Sequence, residues 1–468
     1  MAGAGSSMAK LPWHIKMVYG MGDWGASSAT SARNLYWLYF IVSVVGVDIQ
    51  LAGLAFIIGR IWDAINDPLV GTLSDHIRTR WGRRRPFLLF GAVPFGVGFW
   101  LMFSGPPFTG QLATALYYAL VFILYDTAYT FVNAPYIALT PELTEDYDER
   151  SSLAGWRMAN SILASLVTVA LFKFLAENVF ADWFSGPRAL QQGYGVAGAI
   201  WGLVIVLSPW LVFSVIREPE RPPDPNPLNF RQTFKDVINN RPFRIGATIY
   251  LLTFTAADIV TTIFVWFLIY RLQLPPPTDS IILAAVLGTA FLTMPLTIWL
   301  MRTLGKARTY VWVMSFWVVI MLLTSLLPSG KFGLVLLAAL LAGFGYGAAN
   351  AIPWAIVADV VEEDELKSGS RREGVYSGYL VTFRKLATAV AIGVVTQVLA
   401  ATGFVKGGGG TLIVQPANAL LALRLFMGVA PGCLILLSIW AAARYPITRE
   451  AHAELRRRLA EQRALKAN

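Results

Sequence analysis

The segment Arg60-Ile-Trp-Asp63-Ala-Ile-Asn66-Asp67-Pro68 sets two carboxylates and an amide into an otherwise apolar stretch. On a helix, residues four apart share a face, so Asp63 and Asp67 stand one above the other with Asn66 beside them. Carboxylate and amide oxygens are hard ligands and suit a small hard cation. Two carboxylates close together in a low dielectric repel each other, and a bound Na+ or proton relieves that repulsion. Pro68 cannot donate to the helical ladder, which frees the carbonyl of Ala64 as a further oxygen. Thr130 adds a hydroxyl from a later segment. The expected cation site is therefore Asp63, Asn66, Asp67 and Thr130, with Na+ held at Asp63 and Asp67. The competing reading makes the two acids partners of Arg60 and Arg157 in salt bridges that only lock helices together.

These charges stand in a chain that lacks a water-facing surface. Of 468 residues, 56% are hydrophobic and 14% charged, with a mean hydropathy of +0.56; soluble domains carry about 25% charged residues. The apolar residues come in long runs such as Leu112 to Leu124 and Val311 to Leu327, and about 20 such residues cross a bilayer. Twelve spans are expected, at 17–46, 51–74, 86–104, 111–139, 153–178, 195–216, 244–270, 280–301, 309–328, 332–358, 375–401 and 414–443. The net charge of +10 raises the question of nucleic acid, and its distribution answers it. With both termini on one side, 26 of the 38 lysines and arginines lie there, and Arg188, Arg271, Lys331 and Lys406 lie opposite. This is the positive-inside pattern of a plasma (inner) membrane protein with both termini cytoplasmic; no nucleic-acid partner is expected. The lone Cys433 permits no internal disulfide, and the three histidines, His14, His76 and His452, lie at span edges or in the tail. Neither a nucleophile with its base nor a Cys/His metal centre can be assembled, so no enzyme and no cofactor beyond a coupling ion is expected.

The chain divides in two. Residues 217–243 form the only long polar linker, with the proline-rich run Glu218 to Pro227, which favours an extended, solvated backbone. The halves echo one another. Span 4 ends Asn133-Ala-Pro-Tyr-Ile-Ala-Leu139 before an acidic run, and span 10 ends Asn350-Ala-Ile-Pro-Trp-Ala-Ile356 before another. Arg157 in span 5 matches Arg384 in span 11, and Gly82-Arg83 matches Gly305-Lys306. A duplicated six-helix unit of this kind builds the major facilitator fold, an all-α membrane architecture with its solute site near the midplane. The expected organisation is an N-terminal half at 1–216, the linker, a C-terminal half at 244–445 and a basic cytoplasmic tail at 446–468.

Other charges interrupt the spans: Asp23, Arg33, Asp126, Arg157, Lys173, Asp258, Arg384, Lys385 and Arg424. Each costs about 2.5–3.5 kcal/mol at mid-membrane on insertion scales, so it must pair or line a polar cavity. Arg157 and Arg384/Lys385, at equivalent repeat positions, are expected to hold solute hydroxyls or an anionic head group. Lys173 and Arg424 read as snorkelling side chains near the membrane edges. Aromatic faces suit sugars; Trp354, beside Pro353, is the favoured one, with Tyr379 in span 11.

At Arg60-Ile-Trp-Asp-Ala-Ile-Asn-Asp-Pro68, with Gly71 and Arg80-Trp-Gly-Arg83, the chain resembles the glycoside–pentoside–hexuronide:cation symporters, of which the melibiose permeases are members. The resemblance extends through Tyr129-Thr-Phe-Val-Asn-Ala-Pro135, Ala358-Asp-Val-Val361 and Tyr376 to Lys385 and covers most of the chain. It implies a cation-coupled symporter of a sugar or glycoside working by alternating access, with Na+ as coupling ion and H+ as the alternative. It implies cation acids at Asp63 and Asp67, with Asn66 and Thr130 as neighbouring ligands, and basic solute contacts at Arg157 and Arg384. Two positions depart from the family: the sugar-binding acids of spans 1 and 4 fall on Ser27 and Asn133, with Asp23 and Asp126 one and two turns away as substitutes. Gly25-Ala-Ser-Ser28 and Pro353-Trp354 also resemble the sodium-dependent lysophospholipid symporters, the alternative function, in which Arg384 meets a phosphate. Asp75, Arg78, Arg83 and Arg84, with the acidic stretch Glu142 to Glu149, are expected to form a charged cytoplasmic gate. The tail around Arg456 to Arg458 reads as a basic amphipathic helix on the membrane surface.

Overall fold

The computed structural model describes residues 11–77, 79–144, 147–217, 239–275, 278–368, 373–407 and 413–447, and most of 450–461. Arg78 and most of the linker (218–238) lie outside the described residues, as do the side chains of Pro68, Asp75 and Glu142. Among the described residues the chain is helical throughout, apart from connecting turns.

The helices follow the apolar runs. The first, α1, is assembled from Trp13–Met21, Asp23–Ala32 and two π-helical turns, Arg33–Trp37 and Phe40–Val45. Then come α2 (Ile49–His76), α3 (Arg85–Met102), α4 (Gln111–Ala138), α5 (Tyr147–Leu175) and α6 (Ala189–Val215). The second set is α7 (Arg241–Trp266, running on through a π turn at Phe267–Arg271), α8 (Thr278–Leu292 and Met294–Leu304) and α9 (Lys306–Leu326). It continues with α10 (Phe332–Ser368), α11 (Glu373–Ala401) and α12 (Ala417–Arg424, a π turn at Leu425–Val429, and Ala430–Ala442). Ten of these are long and apolar enough to cross a bilayer, and α8 makes eleven as a pair bent by 42°. Its bend falls at Thr293, two residues before Pro295, whose missing donor and ring interrupt the ladder. The remaining helix is α1. Asp23, Ser27, Ser28, Thr30, Ser31 and Arg33 make it too polar to read as a span from hydropathy alone. Ser28 and Arg33 are buried against other helices.

The described chain falls into two compact units, Met1–Pro223 with Lys406–Leu412, and Asp224–Val405 with Ile413–Asn468. In the first, glycines let helices approach backbone to backbone, the usual device where lipid offers no hydrophobic drive between helices. A Cβ on Gly96 of α3 would lie 2.5 Å from the carbonyl of Gly202 on α6. A Cβ on Gly59 of α2 would sit 1.7 Å from the ring of Phe122 on α4. That second approach draws α2 onto α4 one residue before Arg60. The second unit has its own core, centred on Tyr250, Tyr310, Trp317, Ile352 and Ile356, with a buried hydroxyl chain from Tyr310 to Ser438 at 2.5 Å.

Candidate functional site

The Gly59–Phe122 approach aligns the polar face of α2 with α4 over two turns. Trp62 Nε1 donates to Thr127 Oγ1 at 2.8 Å, Asn66 Nδ2 to the carbonyl of Asp126 at 3.4 Å, and Thr130 Oγ1 to Asp67 Oδ1 at 3.0 Å. Asn66, Asp67 and Thr130, three of the four expected cation ligands, are therefore held together in one patch between α2 and α4. Asp63 is a turn away on the same face and also buried.

Asp63 and Asp67 have different partners. Asp63 Oδ2 accepts from Arg60 Nη1 at 3.3 Å, whereas Asp67 meets the Thr130 hydroxyl. Part of the competing reading thus holds: Arg60 does engage one acid. Arg157 stands elsewhere, within electrostatic reach of Asp23 and Tyr19.

A further cation enters from α1. Arg33, at the start of the first π turn, lies with Nη1 3.7 Å from Asp126 Oδ1; the two side chains are 6% and 0% exposed. π turns recur at functional sites because the extra residue re-aims the side chains that follow. Asn34 Oδ1 accepts from Arg33 Nε at 3.3 Å and from Arg60 Nη2 at 3.2 Å, tying the two guanidiniums together. The Arg33 guanidinium lies 5.8 Å from the ring centroids of both Phe122 and Tyr125. The Tyr125 hydroxyl is fully buried without a hydrogen-bond partner among the described residues. The site is thus layered. An outer layer holds Arg33, Arg60, Asp63 and Asp126, two charges of each sign. One turn further along α2 and α4 stand Asp67 and Thr130. Among the described residues the two layers hold two guanidiniums and three carboxylates, and carboxylate oxygens suit a hard cation.

The residues expected to meet the solute form one cluster in each unit. In the first, Ser27 Oγ donates to Asp23 Oδ2 at 3.2 Å and shares a 2.6 Å bond with Ser161 Oγ. The charge of Arg157 acts on the same carboxylate. Asp23 therefore sits beside the position where the family carries its acid. Asp126 does not do the same for Asn133: Asn133 Nδ2 donates to the Tyr129 hydroxyl at 3.0 Å while Asp126 belongs to the Arg33 layer. In the second unit, Arg384 Nη2 donates to Asp258 Oδ1 at 3.2 Å, Thr388 Oγ1 to Asp258 Oδ2 at 2.6 Å, and the Arg384 guanidinium lies 4.0 Å from the centre of the Phe254 ring. Trp354 packs edge-on against Tyr250, and Tyr379 stacks on Phe383. Lys385 is half-buried next to Arg384 on α11.

The repeat carries more than the arginines. Arg157 and Ser161 on α5 match Arg384 and Thr388 on α11 at one common offset, and each pair meets an acid from the first helix of its own unit, Asp23 or Asp258. Ser161 and Thr388 were legible at that offset once the arginines were matched. Asn34 gave no signal in the sequence. Of the residues expected to form a gate, Arg84 Nη1 donates to Ser74 at 3.0 Å and Arg83 is half-buried; Arg78 and the Asp75 side chain lie outside the described residues. Glu149 pairs with Lys16 at 2.9 Å. The corresponding region of the second unit joins Lys306 to Asp359, with His452 of the tail 3.1 Å from Asp359 and 2.9 Å from Glu362. Lys173 departs from expectation. It is buried, not snorkelling, because Glu177 at 2.6 Å and the Tyr39 ring at 5.3 Å supply its partners inside the protein.

Residues 18–449 match the family model described as MFS/sugar transport protein. A protein of Escherichia coli K12 named provisionally as the glycoside/cation symporter YagG is 28% identical, covering 92% of this chain and 93% of its own. The sodium-dependent lysophosphatidylcholine symporter 1 of Gallus gallus is 27% identical, covering 98% and 91%. Among solved structures, the nucleoside transporter NupG superposes with a TM-score of 0.62 over 93% of this chain and 98% of its own at 12% identity, which establishes the major facilitator fold. With the full-length match and this fold, the chain belongs to the MFS/sugar transport protein family, a family of membrane transporters and not of enzymes.

Proposed function

We propose that the chain is a Na+-coupled symporter of a sugar or glycoside, working by alternating access in the plasma membrane with both termini cytoplasmic. The observation that carries the coupling is the Asp67–Thr130 contact of 3.0 Å between α2 and α4, beside Asn66 and next to the Arg33–Asp126 and Arg60–Asp63 pairs. Carboxylate, amide and hydroxyl oxygens are the donors a hard monovalent cation prefers. Binding there screens Asp67 and steadies α2 against α4. Coupling of this kind is reciprocal and typically amounts to about 1–3 kcal/mol, so the solute raises the affinity for Na+ as Na+ raises the affinity for the solute. Asp23, Ser27, Asn133 and Arg157 are the proposed solute contacts in the N-terminal half; Trp354, Tyr379, Arg384 and Lys385 are those in the C-terminal half. Asp75, Arg78, Arg83 and Arg84 are the proposed gate.

A sugar is favoured over a phosphate-bearing lysolipid by the state of Arg384. Its guanidinium already holds Asp258, and Thr388 holds the same carboxylate. That carboxylate neutralises the guanidinium and repels a second anion, whereas sugar hydroxyls add to the set. The relative named for lysophosphatidylcholine keeps the lysolipid as the second reading. Thermal stabilisation of the purified protein, with and without Na+, across sugars, glycosides and lysolipids tests both. The expected result is one sugar that stabilises only with Na+, and loss of that Na+ dependence in Asp67→Asn. A response to lysolipids alone transfers the assignment to the second reading. A Na+ effect that persists in Asp67→Asn removes the cation site.

A further inference from the structure

Away from these clusters, at the membrane edge where α7 ends and α12 begins, an open hollow is lined by Tyr270, Arg271, Gln273, Ser329, Leu421 and Arg424. We infer that this hollow binds a phosphate group, that of an anionic phospholipid headgroup. Arg271 and Arg424 both face it, and each lies within electrostatic reach of the other. Among the described residues no carboxylate pairs with either. Arg424 spends only Nε, on the carbonyl of Ser325 at 3.1 Å, so both terminal nitrogens remain for a ligand. Two like charges brought into one hollow without a counterion call for an anion from outside the chain. Guanidinium forks match the oxygens of a phosphate better than an ammonium does.

The frame is built to hold them. Each arginine adjoins a π turn, Phe267–Arg271 in α7 and Leu425–Val429 in α12. The rim is tied by Gly330 N–H, which donates to the carbonyl of Leu272 at 2.8 Å. Gln273 sits in that rim with φ of 51°, a left-handed backbone that few residues other than glycine adopt. Depth points to a lipid. Arg424 is seven residues inside the start of α12, about 10 Å along the helix axis, which is the level where headgroups give way to acyl chains. Leu421, in the same hollow, is 52% exposed and offers a chain an apolar surface. Basic residues are sparse on this side of the chain, which has only Arg188, Arg271, Lys331 and Lys406 in its connections. The pairing of Arg271 with Arg424 is therefore not a sample of a generally basic surface.

The test uses native mass spectrometry on the full chain in detergent, titrated with dioleoyl phosphatidylglycerol, dioleoyl phosphatidylcholine or glycerol 3-phosphate. The variants are Arg271→Gln/Arg424→Gln and Arg271→Gln alone; the single change removes a side chain that makes no hydrogen bond among the described residues and leaves packing intact. Wild type is expected to retain phosphatidylglycerol over phosphatidylcholine, and the double variant to bind it roughly thirtyfold more weakly, at about a factor of five per arginine. The single variant falls between. Competition by millimolar glycerol 3-phosphate keeps the phosphate site but replaces the lipid with a soluble phosphoester. Equal binding of both lipids by wild type, or unchanged phosphatidylglycerol binding in the double variant, overturns the inference and leaves the arginines as interfacial anchors.

Discussion

Replacing Asp126 by Asn isolates the charge layer that Arg33 brings to the proposed cation site. Arg33 Nη1 and Asp126 Oδ1 are 3.7 Å apart and both buried. At an effective dielectric of 20 their attraction is about 4.5 kcal/mol. Removing one partner of a buried pair costs roughly 3–5 kcal/mol, because the other charge is left behind. Asp63 offers Arg33 only partial compensation, since Arg60 already engages it. A loss of about 3 kcal/mol lowers Tm by roughly 5–10 °C for a unit of this size. Arg33→Met takes the guanidinium away from Asp126 and costs a similar amount. The double variant removes both charges and should recover most of the stability. Cation affinity makes the second readout. Asp126→Asn removes one negative charge from the cluster. Loss of that charge weakens the attraction for a cation nearby, so half-saturation by Na+ should rise. The double variant regains the original net charge and should return close to the wild-type value. Thermal denaturation in detergent and Na+ titration of substrate-dependent stabilisation read the two effects. If the double variant is as unstable as the singles, the pair is not the interaction described. If Asp126→Asn loses stability but keeps its Na+ affinity, the layer is structural and net charge does not set the cation site.

Two further outcomes follow from the same geometry. Gly59→Leu forces a side chain into the ring of Phe122, which a Cβ alone would approach to 1.7 Å. Overpacking of about 1–3 kcal/mol should part α2 from α4 and abolish Na+-dependent stabilisation while Arg271-dependent lipid binding persists; unaltered Na+ dependence would refute the role of that approach. Asp258→Asn frees Arg384 from its carboxylate. Binding of anionic solutes should strengthen about tenfold, as one charge-assisted bond no longer competes, while neutral glycosides change less; an equal effect on both would show that Asp258 touches the solute directly.

The two pseudo-equivalent clusters give this arrangement a logic beyond single contacts. Asp23 with Arg157 and Ser161, and Asp258 with Arg384 and Thr388, are the same acid–guanidinium–hydroxyl set built twice from duplicated helices. In the second set Arg384 is hydrogen-bonded to Asp258; in the first, the charge of Arg157 acts on Asp23, which Ser27 hydrogen-bonds. The acid of each comes from the first helix of the unit and is not at a matching depth, so the duplicated units share the chemistry without sharing the exact register.

By itself the sequence determined most of the helical spans, the duplication and the face of α2 that carries Asp63, Asn66 and Asp67. These depend on hydropathy and on a local period of 3.6 residues, and both are written along the chain. The Arg60–Asp63 bond was legible for the same reason, because three residues span less than one turn. Only the tertiary structure decided that Asp67 meets Thr130, that Arg33 meets Asp126 and that Arg384 meets Asp258. Depth along a helix follows from counting residues, but the rotation of one helix against another follows from packing. Here it is set by a glycine that admits Phe122 and by a π turn that re-aims Arg33. Lys173 makes the same point from the other side: its position near a membrane edge suggested water, and Glu177 together with Tyr39 turned it inward. A buried charge takes whichever partner the packed helices bring within reach, and that pairing is a property of the assembled fold.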